Sequence, residues 1–151
     1  MKKFLLICLI VIVTITAISL GMKIYKNNLV KKNREAVIED LKEISNQALA
    51  YYHAPLRIGG GGNQWVPKID GEYQQNRCAL WLMYSGSFIE EKNDEFSNEN
   101  GKYKLWLSSW EDNTLKILGT GIEIGKDRIN PVQVRLDLNG PAKGESLKIL
   151  N

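Results

Sequence analysis

Nineteen consecutive uncharged residues, Phe4–Met22 (FLLICLIVIVTITAISLGM), constrain this chain more than any other feature. Lys2-Lys3 precede them and Lys23 follows. A helix of that length, rising ~1.5 Å per residue, covers about 28 Å, close to the hydrocarbon thickness of a bilayer. We take Phe4, Leu5, Leu6, Ile10, Ile12, Ile15, Ile18 and Leu20 as membrane-spanning residues, with membrane lipid as their partner. A cleaved signal peptide is the competing reading, since Lys2-Lys3, an apolar core and Ala17-Ile18-Ser19 fit that pattern. The run is longer than a usual signal core, however. It also flows into a second helical pattern with only Gly21 between, and one glycine costs a helix about 1 kcal/mol. The expected division is therefore a transmembrane helix at 1–23 and one soluble domain at 24–151, long enough for a single modest core.

Net charge is +3, two of it from Lys2 and Lys3. The next basic residues, Lys23, Lys26, Lys31, Lys32 and Arg34, crowd just after the apolar run, where they fit anionic lipid headgroups. Nothing points to a nucleic-acid partner. By basic-residue count the soluble domain belongs in the cytoplasm. The signal-like N-terminus argues for export, and the extracytoplasmic side is the one we expect. Cys8 lies in the apolar run and Cys78 in the soluble part, so no disulfide is expected between them. Ile7 stands where a lipoprotein cysteine is preceded by a small residue.

From Ile24 to about Tyr52 the apolar residues Val30, Val37, Leu41, Ile44, Ala48 and Tyr51-Tyr52 recur at steps of seven, four, three, four and three to four. That is one stripe along a helix, with Glu35, Glu39, Asp40, Lys42 and Glu43 on the other positions. The stripe is expected to pack on the chain's own sheet, and packing against further copies of the chain stays open. Pro55 ends the helix. Gly59, Gly60, Gly61 and Gly62 then form a glycine loop within 55–64. No Lys-Ser/Thr follows and no strand precedes, so a phosphate loop does not fit. A close backbone crossing over a helix or strand does.

These residues resemble a known architecture. An apolar N-terminal helix runs into an amphipathic one ending Asn46-Gln47-Ala48-Leu49-Ala50-Tyr51-Tyr52, followed by Pro55, Gly59–Gly62 and short strands. This is similar to type IV pilin-like proteins, in particular to a bacterial group with a Gln-Ala-x-x-Tyr-Tyr segment before a glycine run. The architecture covers the whole chain, and the specific match is Gln47–Gly62. The resemblance implies an α+β fold: a long N-terminal α-helix, its first half transmembrane, packed on a small antiparallel β-sheet. It also implies a structural subunit of a cell-envelope assembly, partnered by itself or by other pilin-like subunits. Two pilin features are missing. Lys3 stands where pilins carry the glycine of their processing site, and the first acidic residue is Glu35 rather than a glutamate near the start of the run.

The sheet is expected within 77–150. Cys78–Tyr84 (CALWLMY) reads as a buried strand, with a short helix as the alternative. Glu90–Gly101 reads as an acidic loop whose spacing misses the calcium-loop pattern. Asn100-Gly101 signals a turn. Lys102–Ser108, Thr114–Ile124 and Gln133–Leu138 alternate as strands, and Ser146–Leu150 suits a short last one. Gly119 and Gly121 mark a bulge or a close approach to another backbone. Three or four such strands with one apolar face need the Ile24–Tyr52 helix as their lid.

No catalytic constellation emerges. His53 is the single histidine, at a helix end, and Cys78 heads an apolar run where a thiol is inert. We expect neither an enzyme, a cofactor, a metal nor a small-molecule substrate. Trp106 and Trp110 mark a contact face on the alternative reading, a tethered or secreted β-rich binding module for glycan or peptide. On the plainer reading the tryptophans fill the helix–sheet core.

Overall fold

The computed structural model describes residues 2–151 apart from 75–76, 86–88, 93–94, 108–113, 126 and 140–143. One unbroken helix, α1 (Lys2–His53), occupies the first third of the chain. A 3-10 turn (Leu56–Ile58) leads through the glycine run to a small hairpin, β1 (Lys68–Ile69) and β2 (Glu72–Tyr73). Its two-residue turn, Asp70-Gly71, has positive φ at both positions (51° and 89°), the geometry for which Asp-Gly is favoured. A short helix follows, α2 (Arg77–Ser85).

Six strands complete the chain: β3 (Ile89–Lys92), β4 (Glu95–Asn98), β5 (Gly101–Leu107), β6 (Thr114–Ile124), β7 (Pro131–Asn139) and β8 (Glu145–Ile149). They form one antiparallel sheet whose spatial order is the chain order. The fold is α+β: α1 crosses β6 and β7 on one face of the sheet, and α2 packs beside it.

The core lies between these layers. From α1 come Val37, Leu41, Ile44, Ala48 and Tyr51, each at most 2 % exposed. They meet Tyr103 and Leu105 of β5, Leu115 and Ile117 of β6, and Val134, Leu136 and Leu138 of β7. Alternation along β5, β6 and β7 thus sends one face to the helix, as the sequence pattern requires. Val30 packs at the edge of the same core.

Three expectations are corrected. Residues 77–85 form a helix rather than a strand: Cys78 and Leu82, four apart, are buried while Leu80 is exposed, which is helical periodicity. The stretch expected as an acidic loop supplies β3 and β4 instead. These strands at one edge of the sheet are held by backbone pairing, and Phe96 drops into the core. The sheet accordingly spans Ile89–Ile149 and has six strands, not three or four.

Candidate membrane anchor and its seat on the sheet

Helix α1 changes environment along its length. The spanning candidates lie between 56 % exposed (Ile10) and 73 % exposed (Phe4), and residues 3–28 are exposed throughout. This helix is long and apolar enough to cross a membrane. Its hydroxyl groups suit an apolar surrounding. Thr14 Oγ1 donates to the Ile10 carbonyl (2.8 Å), and Thr16 Oγ1 to the carbonyls of Val13 (2.8 Å) and Ile12 (3.0 Å). Both hydroxyls therefore have partners inside the helix, as a water-free medium demands.

At the other end the sequence dictates a tight seat. Asn33 falls on the same helical stripe as Val30 and Val37, and its amide bridges the β4–β5 turn and β6. Nδ2 donates to the Asn100 carbonyl (2.9 Å), and Oδ1 accepts the Glu123 N–H (3.1 Å). Two turns further on, Asp40 takes the hydroxyl of Tyr103 and the amides of Asn98 and Asn100 (2.9 Å each) on a single carboxylate oxygen. Burial, and after it the Asp40 carboxylate, keeps the Tyr103 hydroxyl protonated well above the usual tyrosine range. On the opposite flank Ser45 Oγ donates to Glu145 of β8 (2.9 Å). Gly119 and Gly121 of β6 let the helix settle: a Cβ on Gly119 would meet Val37 Cγ1 at 2.7 Å, and one on Gly121 would meet Asn33 Oδ1. The close approach at these two glycines is thus to side chains of the helix rather than to another backbone, and the strand register shifts between Thr120 and Ile124.

The glycine loop closes the helix. A helix leaves its last four carbonyls without intrahelical donors. Here the returning backbone supplies donors for two of them, Gly61 N–H to the Tyr51 carbonyl (2.8 Å) and Asn63 N–H to Tyr52 (2.7 Å), while Gly62 N–H donates to Ala54, just past the helix end (2.9 Å). Side chains would block that approach. A Cβ on Gly60 would overlap Ala54, and one on Gly61 would overlap the Gln64 carbonyl. Gly59 and Gly62 adopt positive φ (95° and 60°). Arg77 of α2 clamps the loop through the carbonyls of Gly59 (3.0 Å) and Leu56 (2.7 Å).

The aromatic residues divide. Trp65 is buried against Tyr52 (4.7 Å between ring centroids), and Trp81 meets Tyr51 edge-on (6.0 Å). Trp106 occupies a β5 position opposite Lys116. Its side chain, and all of Trp110, lie outside the described residues. His53 Nδ1 lies 3.3 Å from Asn63 Oδ1 on the surface, whereas Cys78 is buried. Burial pushes the Cys78 thiol up to about 12, which removes it as a nucleophile near neutral pH. Among the described residues no group of three His, Cys, Asp or Glu side chains is placed to hold a metal ion. The sequence reading missed Asn33 and Asp40. The available signal was an asparagine on an otherwise apolar stripe.

No protein-family model, curated protein or solved structure matches the chain.

Proposed function

We propose that this chain is a non-enzymatic, single-pass membrane protein of pilin-like architecture, a structural or interaction subunit of a cell-envelope assembly with its soluble domain on the extracytoplasmic side. The observation that carries the reading is the abrupt change along one continuous helix. Residues 3–28 bury nothing, whereas Val37 to Tyr52 form the spine of the core. Burying a leucine-sized side chain is worth about 1.5–3 kcal/mol, so eight exposed ones call for an apolar surrounding. Lipid supplies it for a run of this length, and the lipid-embedded helices of several copies would supply more.

The test is the intact mass of the protein extracted from the membranes of its producing cell. A full-length mass recovered only with detergent supports the reading. A soluble protein lacking about its first 19 residues overturns it. External protease acting on sealed cells then decides the side: digestion of the domain places it outside, and protection places it in the cytoplasm.

A further inference from the structure

The end of the domain nearest the exposed half of α1 carries an apolar cluster that the fold does not use. Ile122 and Ile124, at the end of β6, are 68 % and 53 % exposed, and Ile129 in the following loop is 79 % exposed. The described residues of the loop holding Ile129, 127–130, are tied together by hydrogen bonds. Gly125 N–H donates to the Asn130 carbonyl (2.7 Å), closing it. The Asp127 carboxylate accepts the N–H groups of Ile129 and Asn130 (3.0 Å each) and the Asn130 side-chain amide (2.6 Å). These hydrogen bonds hold Asp127 well below the usual carboxylate range, so it stays charged and keeps its acceptor role. Asn151 ties the loop to the chain end, donating to the carbonyls of Asn130 (3.0 Å) and Pro131 (3.2 Å). The exposed apolar side chain of Ile129 thus stands on a hydrogen-bonded turn.

Its height along the helix can be worked out. Gly119 lies at Val37 and Leu41, and Gly121 at Asn33, so two residues of β6 descend about as far as four of α1. Glu123 is still hydrogen-bonded to Asn33. Two further strand residues to Gly125 add ~6.6 Å, and the closed loop roughly 5 Å more. The tip therefore lies ~12 Å below Asn33, which at ~1.5 Å per residue is eight helical residues, the level of Tyr25 and Lys26. If the apolar run ends at the hydrocarbon boundary, headgroups occupy the next ~5–7 Å of helix, from about Lys23 to Lys26.

We propose that the β6–β7 tip is a second membrane contact, with Ile129 dipping into the headgroup layer of the bilayer that α1 crosses and Ile124 and Ile122 standing above it. This rests on the spanning reading of α1. Arg128, exposed beside Ile129, joins Lys23 and Lys26 at the same height as partners for anionic headgroups, with Asp127 engaged inside its loop. The contact fixes the tilt of the domain, because a single spanning helix leaves its own tilt in the bilayer free and the domain tilts with it.

Spin labels test this on the full chain in vesicles of phosphatidylcholine and phosphatidylglycerol (3:1). The background carries Cys8→Ser and keeps the buried Cys78. Labels enter singly through Ile129→Cys, Ile12→Cys and Arg57→Cys, the last being an exposed site beyond the far end of α1. Collision with a water-soluble nickel complex and with oxygen is read at each. The expected result is nickel accessibility at 129 several-fold below that at 57, with oxygen accessibility between those at 57 and 12. A label at 129 as nickel-accessible as at 57, with 12 shielded, overturns the tip contact and leaves the span intact. If 12 is water-accessible too, the spanning reading itself fails. Shielding of 129 from both reagents, with spin–spin broadening, means that a second copy covers the tip, and it overturns the lipid contact.

Discussion

The hydroxyl of Tyr103 donates to the carboxylate of Asp40, on the oxygen that also receives the amides of Asn98 and Asn100. One helical side chain thereby holds the β4–β5 hairpin onto α1 from its two strands and its turn. Removing the two partners should cost different amounts. Tyr103→Phe deletes one donor and is expected to lose about 1–2 kcal/mol, while Asp40→Ala removes the acceptor that three donors share at the helix–sheet junction and should lose about 3 kcal/mol. Urea unfolding of the full chain in detergent, followed by tryptophan fluorescence, measures both. Equal losses would mean that the asparagine amides contribute nothing.

The glycine run makes a sharper distinction between neighbours. Ala at 59 meets open space and suffers only from its φ of 95°, a penalty of about 1–2 kcal/mol. Ala at 61 would drive its Cβ into the Gln64 carbonyl oxygen, which is backbone and cannot swing aside. The loop must then lift off the helix end and surrender the hydrogen bonds to Tyr51 and Tyr52. Gly61→Ala should therefore cost clearly more than Gly59→Ala, about 3 kcal/mol. Amide exchange should also speed up at Gly61 and Asn63. A Gly61→Ala protein as stable as Gly59→Ala would show that the loop does not cap the helix.

Cys78 gives a pH dependence with a definite sign. Its thiol is pushed up to about 12 by burial, against about 8.5 in an unfolded chain. A folded-state value above the unfolded one means full stability below about pH 8.5, lost progressively as pH rises toward 12. Native protein should resist iodoacetamide at Cys78 at pH 8 and react once unfolded in urea. Alkylation of the native protein at the rate of a free thiol would contradict the buried, neutral state.

Much of this was legible in the sequence, for physical reasons that also mark the limit. The stripe from Val37 to Tyr52 and the alternation in 102–107, 114–124 and 133–138 each commit many side chains to one face, so period alone identifies them. Seven apolar residues at 78–84 carry no such contrast. What decides that segment is tertiary: Arg77 reaches back to the carbonyls of Gly59 and Leu56, and Cys78 and Leu82 enter the core together. Strands β3 and β4 were hidden because sheet-edge pairing uses backbone groups and asks little of side chains beyond Phe96. The polar seat at Asn33 and Asp40 depends on partners 58 to 90 residues away in sequence, a separation that no local pattern spans.

Gly119 shows how closely α1 is fitted to the sheet, and the fit can be measured as a coupling. A Cβ at this position would lie 2.7 Å from Val37 Cγ1 and 3.2 Å from Leu41 Cδ1 and Tyr103 Cε1. Val37 is β-branched and helical, so nearly all of its population sits in one χ1 rotamer, and its methyl group cannot turn away. Gly119→Ala must then raise the helix by several tenths of an ångström along the whole stripe, at a cost of about 1–3 kcal/mol. Val37→Ala removes the obstructing methyl and leaves a small cavity that the new Cβ partly fills. The double variant should therefore be more stable than the sum of the single losses predicts, by about 1–2 kcal/mol. Additive losses would mean that the helix and β6 adjust independently at this contact.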